Sequence, residues 1–198
     1  MHNNNNLNDV QSFERRSSTY EHSFFQRLFF DRIHQTALNL IPGEFNPENI
    51  LDIGCGTGRL LRKASVRWPA ARLTGVDPAE GMIREARRLT PGAVFYVSMA
   101  ESLALPEASF DLAMSTMSFH HWQNQAQGVC QVARVLRPAG YFLLADLLEP
   151  FWPLRIFMHG RQASPAAVKE WFTQAGLKIL AQQFRIGLRL LVTLGQRN

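Results

Sequence analysis

Cysteine is scarce: Cys55 and Cys130 are the only two among 198 residues. Two such thiols give no disulfide framework and no metal-ligand spacing, so a reducing compartment and a site without metal are expected. Long apolar runs are missing too. No stretch approaches the roughly 20 residues that cross a bilayer, and the asparagine-rich opening, Met1 to Asp9, lacks the basic-then-apolar order of a secretory signal. These gaps predict a soluble, cytoplasmic protein with a disordered tail over residues 1–11. Internal repeats and linker-like stretches are absent, which leaves residues 12–198 as a single domain with 46% hydrophobic residues for its core. Acidic residues all but vanish late in the chain. From residue 151 onward seven basic residues face Glu170 alone, a net +6, so residues 1–150 carry −1 of the total +5. Those late charges stand singly, the pattern of a solvated face, although a basic rim also suits an anionic partner or a membrane surface.

What is present starts at Asn49-Ile50-Leu51-Asp52-Ile53, a buried-strand pattern running into Gly54, Gly56 and Gly58 and then a helix. Glycines at a strand-to-helix turn allow positive φ and let a ligand touch the main chain. The helix that follows offers unpaired N–H groups and its positive dipole end. Asp52, at the carboxyl end of the strand, is placed to hold an ammonium or a hydroxyl. Asp77 closes the next strand 21 residues after Gly56, where an acidic side chain accepts from ribose hydroxyls. The first half therefore reads as a site for a nucleoside-containing cofactor. The dinucleotide fingerprint G-x-G-x-x-G is not met, because the third glycine comes early and Arg59 stands where that pattern wants glycine. That substitution counts against a nicotinamide cofactor.

Strand and helix patterns alternate along the rest. Strands are expected over 49–53, 72–76, 93–97, 110–115 and 140–145, with helices over 57–68, 79–89 and 125–136 between them. Repeated βα units give a parallel sheet with helices on both faces. A helix near 165–175 and two apolar strands around 178–184 and 188–194 close the chain. Ahead of the first strand, residues 12–43 read as N-terminal cap helices, aromatic-rich from about His22 and ended by Pro42-Gly43. Such a cap is placed to cross the ligand edge of the sheet.

Four motifs in order resemble class I S-adenosylmethionine-dependent methyltransferases, most nearly the small-molecule branch that includes quinone-biosynthesis enzymes. They are Leu51-Asp52-Ile53-Gly54-Cys55-Gly56-Thr57-Gly58, Gly75-Val76-Asp77-Pro78, Phe110-Asp111-Leu112 and Val135-Leu136-Arg137-Pro138-Ala139-Gly140-Tyr141. The resemblance implies a Rossmann-like α/β fold: a seven-stranded, mostly parallel sheet with helices on both faces and an antiparallel last strand. It also implies S-adenosyl-L-methionine as cofactor. Gly54, Cys55, Gly56 and Gly58 would pack against its methionyl part, Asp52 would lie near its amino group, and Asp77, followed by Pro78, would hold the ribose. Met82 would line the adenine pocket, and Ser115 would offer its backbone near the methionyl end. One departure matters. Where such enzymes commonly carry an acidic residue for the adenine amino group, the run here is Ser98-Met99-Ala100-Glu101. Met99 packs on a ring but accepts hydrogen bonds poorly. Glu101 or a main-chain carbonyl is expected to compensate, with adenine recognition more apolar than usual.

The acceptor side is less informative. Residues 116–122 lack the Asn/Asp-Pro-Pro-aromatic run of enzymes that methylate nucleobase or amide nitrogens, and there is no Pro-Cys nucleophile. Both absences argue against nucleic acid as substrate. His120 and His121 fall at the carboxyl edge of the sheet, where either ring, His121 first, is a candidate base for an acceptor hydroxyl. A purely structural hydrogen bond is the plain alternative. Tyr20 is a candidate to close over the cofactor, since related enzymes often have an N-terminal tyrosine there, or else a core aromatic. A short cover segment over 147–164, rich in Phe, Trp and Arg, would roof an apolar pocket or lie against a membrane surface. The reading is a methyltransferase acting on a small, hydrophobic or aromatic molecule. Its rivals are a non-catalytic cofactor- or partner-binding protein on the same scaffold and an NAD(P)-dependent oxidoreductase.

Overall fold

The computed structural model describes residues 10–11, 14, 24–147, 162–185 and 189–198. Seven strands form one sheet: β1 (Asn49–Ile53), β2 (Arg72–Asp77), β3 (Val94–Val97), β4 (Phe110–Thr116), β5 (Leu136–Leu147), β6 (Leu177–Arg185) and β7 (Leu190–Arg197). Their spatial order is β3-β2-β1-β4-β5-β7-β6. β1 to β5 pair in parallel, and β7 runs antiparallel to both β5 and β6. The expected Rossmann-like sheet with an antiparallel last strand is what forms. Among the described residues the helices packed on it are α1 (Phe24–Leu38), α2 (Arg59–Arg67), α3 (Glu80–Leu89), α4 (Gln125–Val135) and α5 (Pro165–Gln174).

The central strands are apolar on both sides because both sides are covered. Along β4, Leu112 and Met114 enter the core under α1, α2 and α3, while Ala113 enters the one under α4 and α5. β5 alternates likewise, with Phe142 and Leu144 facing α4 and α5, and Leu143 and Ala145 facing the other layer. Helix ends are set by side chains and by glycine. Asn124 caps α4 by accepting from Gln127 N at 3.1 Å, and Ser164 caps α5, which starts with Pro165, by accepting from Ala167 N at 3.2 Å. The α1 end is held from outside: the Arg67 guanidinium donates to the carbonyls of Leu38, Ile41 and Pro42. Orphan carbonyls at a helix terminus are thereby satisfied by one cation.

Two motif residues turn out to brace the opposite edge from the ligand. Asp111 accepts from Glu48 N and Asn49 N through Oδ2, at 2.9 and 2.8 Å, and from Arg137 Nη1 through Oδ1 at 2.8 Å. That cluster pins the start of β1 to β4 and β5. Differences from expectation are local. β5 begins at Leu136 rather than 140, because a register shift between Phe110 and Leu112 absorbs the Pro138-Ala139-Gly140 turn. The strand expected at 178–184 is β6, an edge strand whose Leu180 and Phe184 are 43% and 47% exposed, so its apolar content does not signal a buried position. Val10 and Gln11, inside the stretch expected as tail, are helical. Among the described residues no helix is long and apolar enough to cross a membrane.

Candidate functional site

Chain order reverses direction between β1 and β4, which are neighbours although β2 and β3 intervene in sequence. In open α/β sheets the crevice at such a switch point, beyond the carboxyl ends of the strands, is where ligands bind. Here that crevice holds about 1100 Å³ of empty space, its open mouth included. Asp52, Gly54, Cys55, Gly56, Asp77, Pro78, Met82, Met99, Ala100, Glu101 and His121 all line it.

The glycine turn is shaped by backbone bonds and by one serine. Gly54 N and Cys55 N donate to Val76 O at 2.8 and 3.0 Å, so the turn is tied to β2. Gly54 has φ +71°, and a Cβ there would lie 2.1 Å from Ser118 Oγ. Ser118 Oγ in turn donates to Ile53 O at 3.0 Å, lies 3.1 Å from Ser115 Oγ and accepts from Trp122 Nε1 at 3.3 Å. Gly56 also has positive φ, but nothing lies within 4 Å of where its Cβ would be. Its open side is room for a ligand. Gly58 and Ser115 do not line the cavity: Gly58 packs against Thr90 and Phe95, and Ser115 is buried behind Ser118.

Two buried carboxyls give the crevice its electrostatics. Asp77 uses both oxygens on main-chain donors, accepting from Gly56 N through Oδ2 and from Ala79 N through Oδ1, each at 2.9 Å. Burial pushes its pKa up to about 6, against the pull of those bonds. Asp52 is 2% exposed and receives no hydrogen bond from the described residues. Burial first, and the nearby Asp77 second, push its pKa up to about 8. Neither carboxyl has a salt-bridge partner among the described residues, so the pair favours a positively charged ligand.

At the far side, Pro78, Ala79, Met82, Met99 and Ala100 form a mostly apolar wall. Glu101 reaches the same wall, and its Oε1 accepts from Asn124 N at 3.0 Å. The two histidines part ways. His121 lines the main crevice, whereas His120 turns into a small neighbouring cavity and pairs with Asp146. Their rings stay in contact, with centroids 4.0 Å apart. Tyr20 and residues 148–161 of the expected cover lie outside the described residues.

Comparison with known proteins bears on this geometry. A family model described as a methyltransferase domain matches residues 51–144. That match takes in β1 to β4 and most of β5, so the crevice-bearing half of the sheet resembles a methyltransferase domain. It is 36% identical over 118 residues to a malonyl-[acyl-carrier protein] O-methyltransferase of Geobacter sulfurreducens, covering 58% of this chain and 44% of that protein. It is 32% identical over 113 residues to a demethylmenaquinone methyltransferase of Chlorobaculum parvum, covering 57% and 45%. The chain thus spans less than half the length of these relatives. The fold is shared with an S-adenosylmethionine-dependent methyltransferase from Mesorhizobium loti, at a TM-score of 0.70 and 20% identity over 82% of this chain and 96% of that one.

S-adenosylmethionine is the cofactor of this domain class, and the described residues fit it. Its ammonium would meet the unpartnered Asp52, its ribose hydroxyls could donate to Asp77, and the bare Gly56 leaves room at the turn. The crevice is also lined by residues that sequence patterns did not single out: Val10, Phe30, His34, Thr116, Met117, Ser118, Trp122 and Gln123. Val10 is brought there by Glu14, which accepts from Gly81 N at 2.7 Å and pairs with Arg84 at 2.8 Å. His34 had one available signal, its place one turn after Phe30 on the face that buries Ile33 and Ala37. It is 5% exposed, and its Nδ1 has no hydrogen-bond partner. An unmet buried nitrogen costs on the order of 1–3 kcal/mol, so a function is the natural reason to keep it.

Proposed function

We propose that this chain is an S-adenosylmethionine-dependent methyltransferase that acts on a small acceptor with an apolar or aromatic body. The observation that carries the reading is a pair of buried carboxyls, Asp52 and Asp77, with no cationic partner among the described residues, beneath a glycine turn at the sheet's switch point. In this reading Asp77 holds the ribose hydroxyls with its remaining lone pairs and Asp52 holds the ammonium. Gly54, Cys55 and Gly56 present main chain to the methionyl end, and Gly58 shapes the turn from behind. Pro78, Met82, Met99 and Ala100 sandwich the adenine, Glu101 offers it a carboxylate, and Ser115 acts through the position of Ser118.

When bound, the cofactor supplies a methyl group already activated by positive sulfur. The chain's own work is to orient the acceptor and keep water out. Phe30, Leu60, Met117 and Trp122 give the acceptor end an apolar wall. His121, facing the crevice, is the group placed to take a proton from an acceptor hydroxyl, and His120 acts on it from behind. The relatives are named for malonyl-[acyl-carrier protein] and demethylmenaquinone, neither of them a nucleic acid, which supports an acceptor other than nucleic acid. A cytoplasmic location goes with two free cysteines.

Thermal unfolding in the presence of S-adenosylmethionine, S-adenosylhomocysteine, NADH and NADPH tests the reading. A ligand at about 100 times its Kd stabilises by roughly 2.7 kcal/mol, or about 5–10 °C in Tm for a chain of this length. The two sulfur nucleosides alone should produce that shift. A shift with NADH or NADPH alone would establish an oxidoreductase instead. Binding without S-adenosylhomocysteine formation across an acceptor panel would leave a non-catalytic binding protein.

A further inference from the structure

Trp122 lines the crevice yet is only 6% exposed, and three neighbours fix its indole. Nε1 donates to Ser118 Oγ at 3.3 Å, and the Phe119 ring packs edge-on at a centroid distance of 4.8 Å. The third is Gly128, inside α4. A Cβ there would lie 2.3 Å from Trp122 Cε3 and 2.5 Å from Cζ3, so the benzo ring rests where any other residue would put its side chain. Glycine inside a helix is less stable than alanine, because its backbone loses more freedom on folding. Plain core filling does not demand it, since a smaller apolar side chain over a helical alanine also packs well. A second wall residue is kept at a cost too. Met117 has φ +55°, a left-handed backbone that glycine or asparagine holds with less strain, and it lines the same crevice. Its N–H donates to Ala145 O at 2.9 Å, which ties that backbone to β5.

We propose that Trp122 is the specificity-determining residue of the acceptor end, and that together with Met117 it selects a flat aromatic ring over a saturated one of the same size. An indole gives an aromatic partner offset-stacked or edge-to-face contact that a puckered ring cannot copy. The Met117 thioether adds a sulfur–aromatic contact of its own. Rigidity strengthens the effect. A ring held on three sides has little freedom left to lose when the acceptor arrives, so the contact keeps most of its worth. Gly128, which does not line the crevice, is the positioning residue behind that ring. The inference rests on the methyltransferase reading for calling this the acceptor end.

Calorimetric titration of the full chain with naphthol and with its fully hydrogenated analogue, decalol, tests the proposal. The two share a carbon skeleton and a hydroxyl, and each is titrated with S-adenosylhomocysteine present. The parent should hold naphthol more tightly by roughly threefold to tenfold, the worth of one aromatic pair. Trp122→Leu should erase that preference, Trp122→Phe should keep part of it, and Met117→Leu should lower it less. Gly128→Ala changes no lining residue, yet it should displace the indole, lower Tm and reduce the preference. Adding Trp122→Leu to Gly128→Ala should recover Tm but not the preference, which separates recognition from packing. A preference that survives Trp122→Leu overturns the proposal, as does a parent that holds the two alcohols equally or holds neither. Gly128→Ala with a lowered Tm and the full preference overturns the positioning role of Gly128. Failure of the parent to bind S-adenosylhomocysteine overturns the methyltransferase reading instead, and titrations without the nucleoside then judge Trp122 alone. Should Trp122→Leu fail to fold, Trp122→Phe and Gly128→Ala carry the comparison.

Discussion

Asp146 holds His120 at two points: Oδ1 accepts from the ring Nδ1 at 2.7 Å, and Oδ2 accepts from the backbone N–H at 2.9 Å. A carboxylate on β5 thereby fixes the short 3-10 turn Phe119–His121 that follows β4, and with it the direction in which His121 points. Asp146→Ala leaves two buried donors unmet, at a cost of about 1–3 kcal/mol. At roughly 2–4 °C per kcal/mol for this chain length, Tm should drop by several degrees. Turnover should fall while affinity for S-adenosylhomocysteine holds, since the turn borders the acceptor end. His121→Ala should cost about a hundredfold or more in turnover if that ring is a general base. A loss below about tenfold assigns His121 to shape instead.

Asp52 makes cofactor affinity depend on pH. Its folded-state pKa of about 8 lies above its ordinary value of 3.8, so the ligand-free fold keeps a proton that the unfolded chain releases. Its contribution to stability is therefore fully present below pH 3.8 and is lost as pH rises toward 8. A cationic ligand reverses the preference and expels that proton. Between pH 6 and 8, affinity for S-adenosylmethionine should climb by up to about tenfold per pH unit, with proton release detectable by calorimetry in buffers of different ionisation enthalpy. Asp52→Asn should flatten the dependence.

The glycines at 54 and 56 should respond differently to the same alanine. At Gly54 the new methyl meets Ser118 Oγ at 2.1 Å, and the backbone has φ +71°. Gly54→Ala should cost over about 2 kcal/mol from strain and collision together, and remove cofactor binding. At Gly56 only the φ of +51° resists, since no atom lies within 4 Å. Gly56→Ala should melt closer to the parent yet lose cofactor affinity, because its methyl enters the ligand's space. Melting curves with and without S-adenosylhomocysteine separate the two.

Met99 lines the crevice beside Glu101, which spends Oε1 on Asn124 N at 3.0 Å. Met99→Asp should restore an acceptor for the adenine amino group and tighten S-adenosylmethionine several-fold, roughly the 0.5–1.5 kcal/mol of one hydrogen bond. Weaker binding by calorimetry would mean that this apolar wall is already complete.

Much of this was legible in sequence because it is local. The order strand, glycine turn, helix and Asp77 spans fewer than thirty residues, and strand periodicity in β1, β4 and β5 follows from burial on both faces. The parts that escaped depend on distant partners. Ser118 meets Ile53 across 65 positions, and the His34 pKa is lowered by burial first and then by Lys63 and Arg59 of α2, which follows it by a strand and two turns. The Asp111–Arg137 pair looked like part of a functional signature and instead braces the amino edge of the sheet. β6 carried apolar residues yet lies at the rim, since pattern records what a strand contains and not which neighbours it is given.

The Ser118 hydroxyl touches the carbonyl of Ile53, the indole of Trp122 and the hydroxyl of Ser115, and it occupies the space beside Gly54. The glycine turn and the crevice wall at Trp122 are therefore one mechanical piece joined at a single oxygen. An acceptor that shifts Trp122 shifts the glycine turn. By thermodynamic reciprocity, whatever factor the acceptor imposes on cofactor affinity the cofactor returns to the acceptor. The signature of such a joint is a pair of matched shifts, each ligand's Kd moving by the same factor when the other is present.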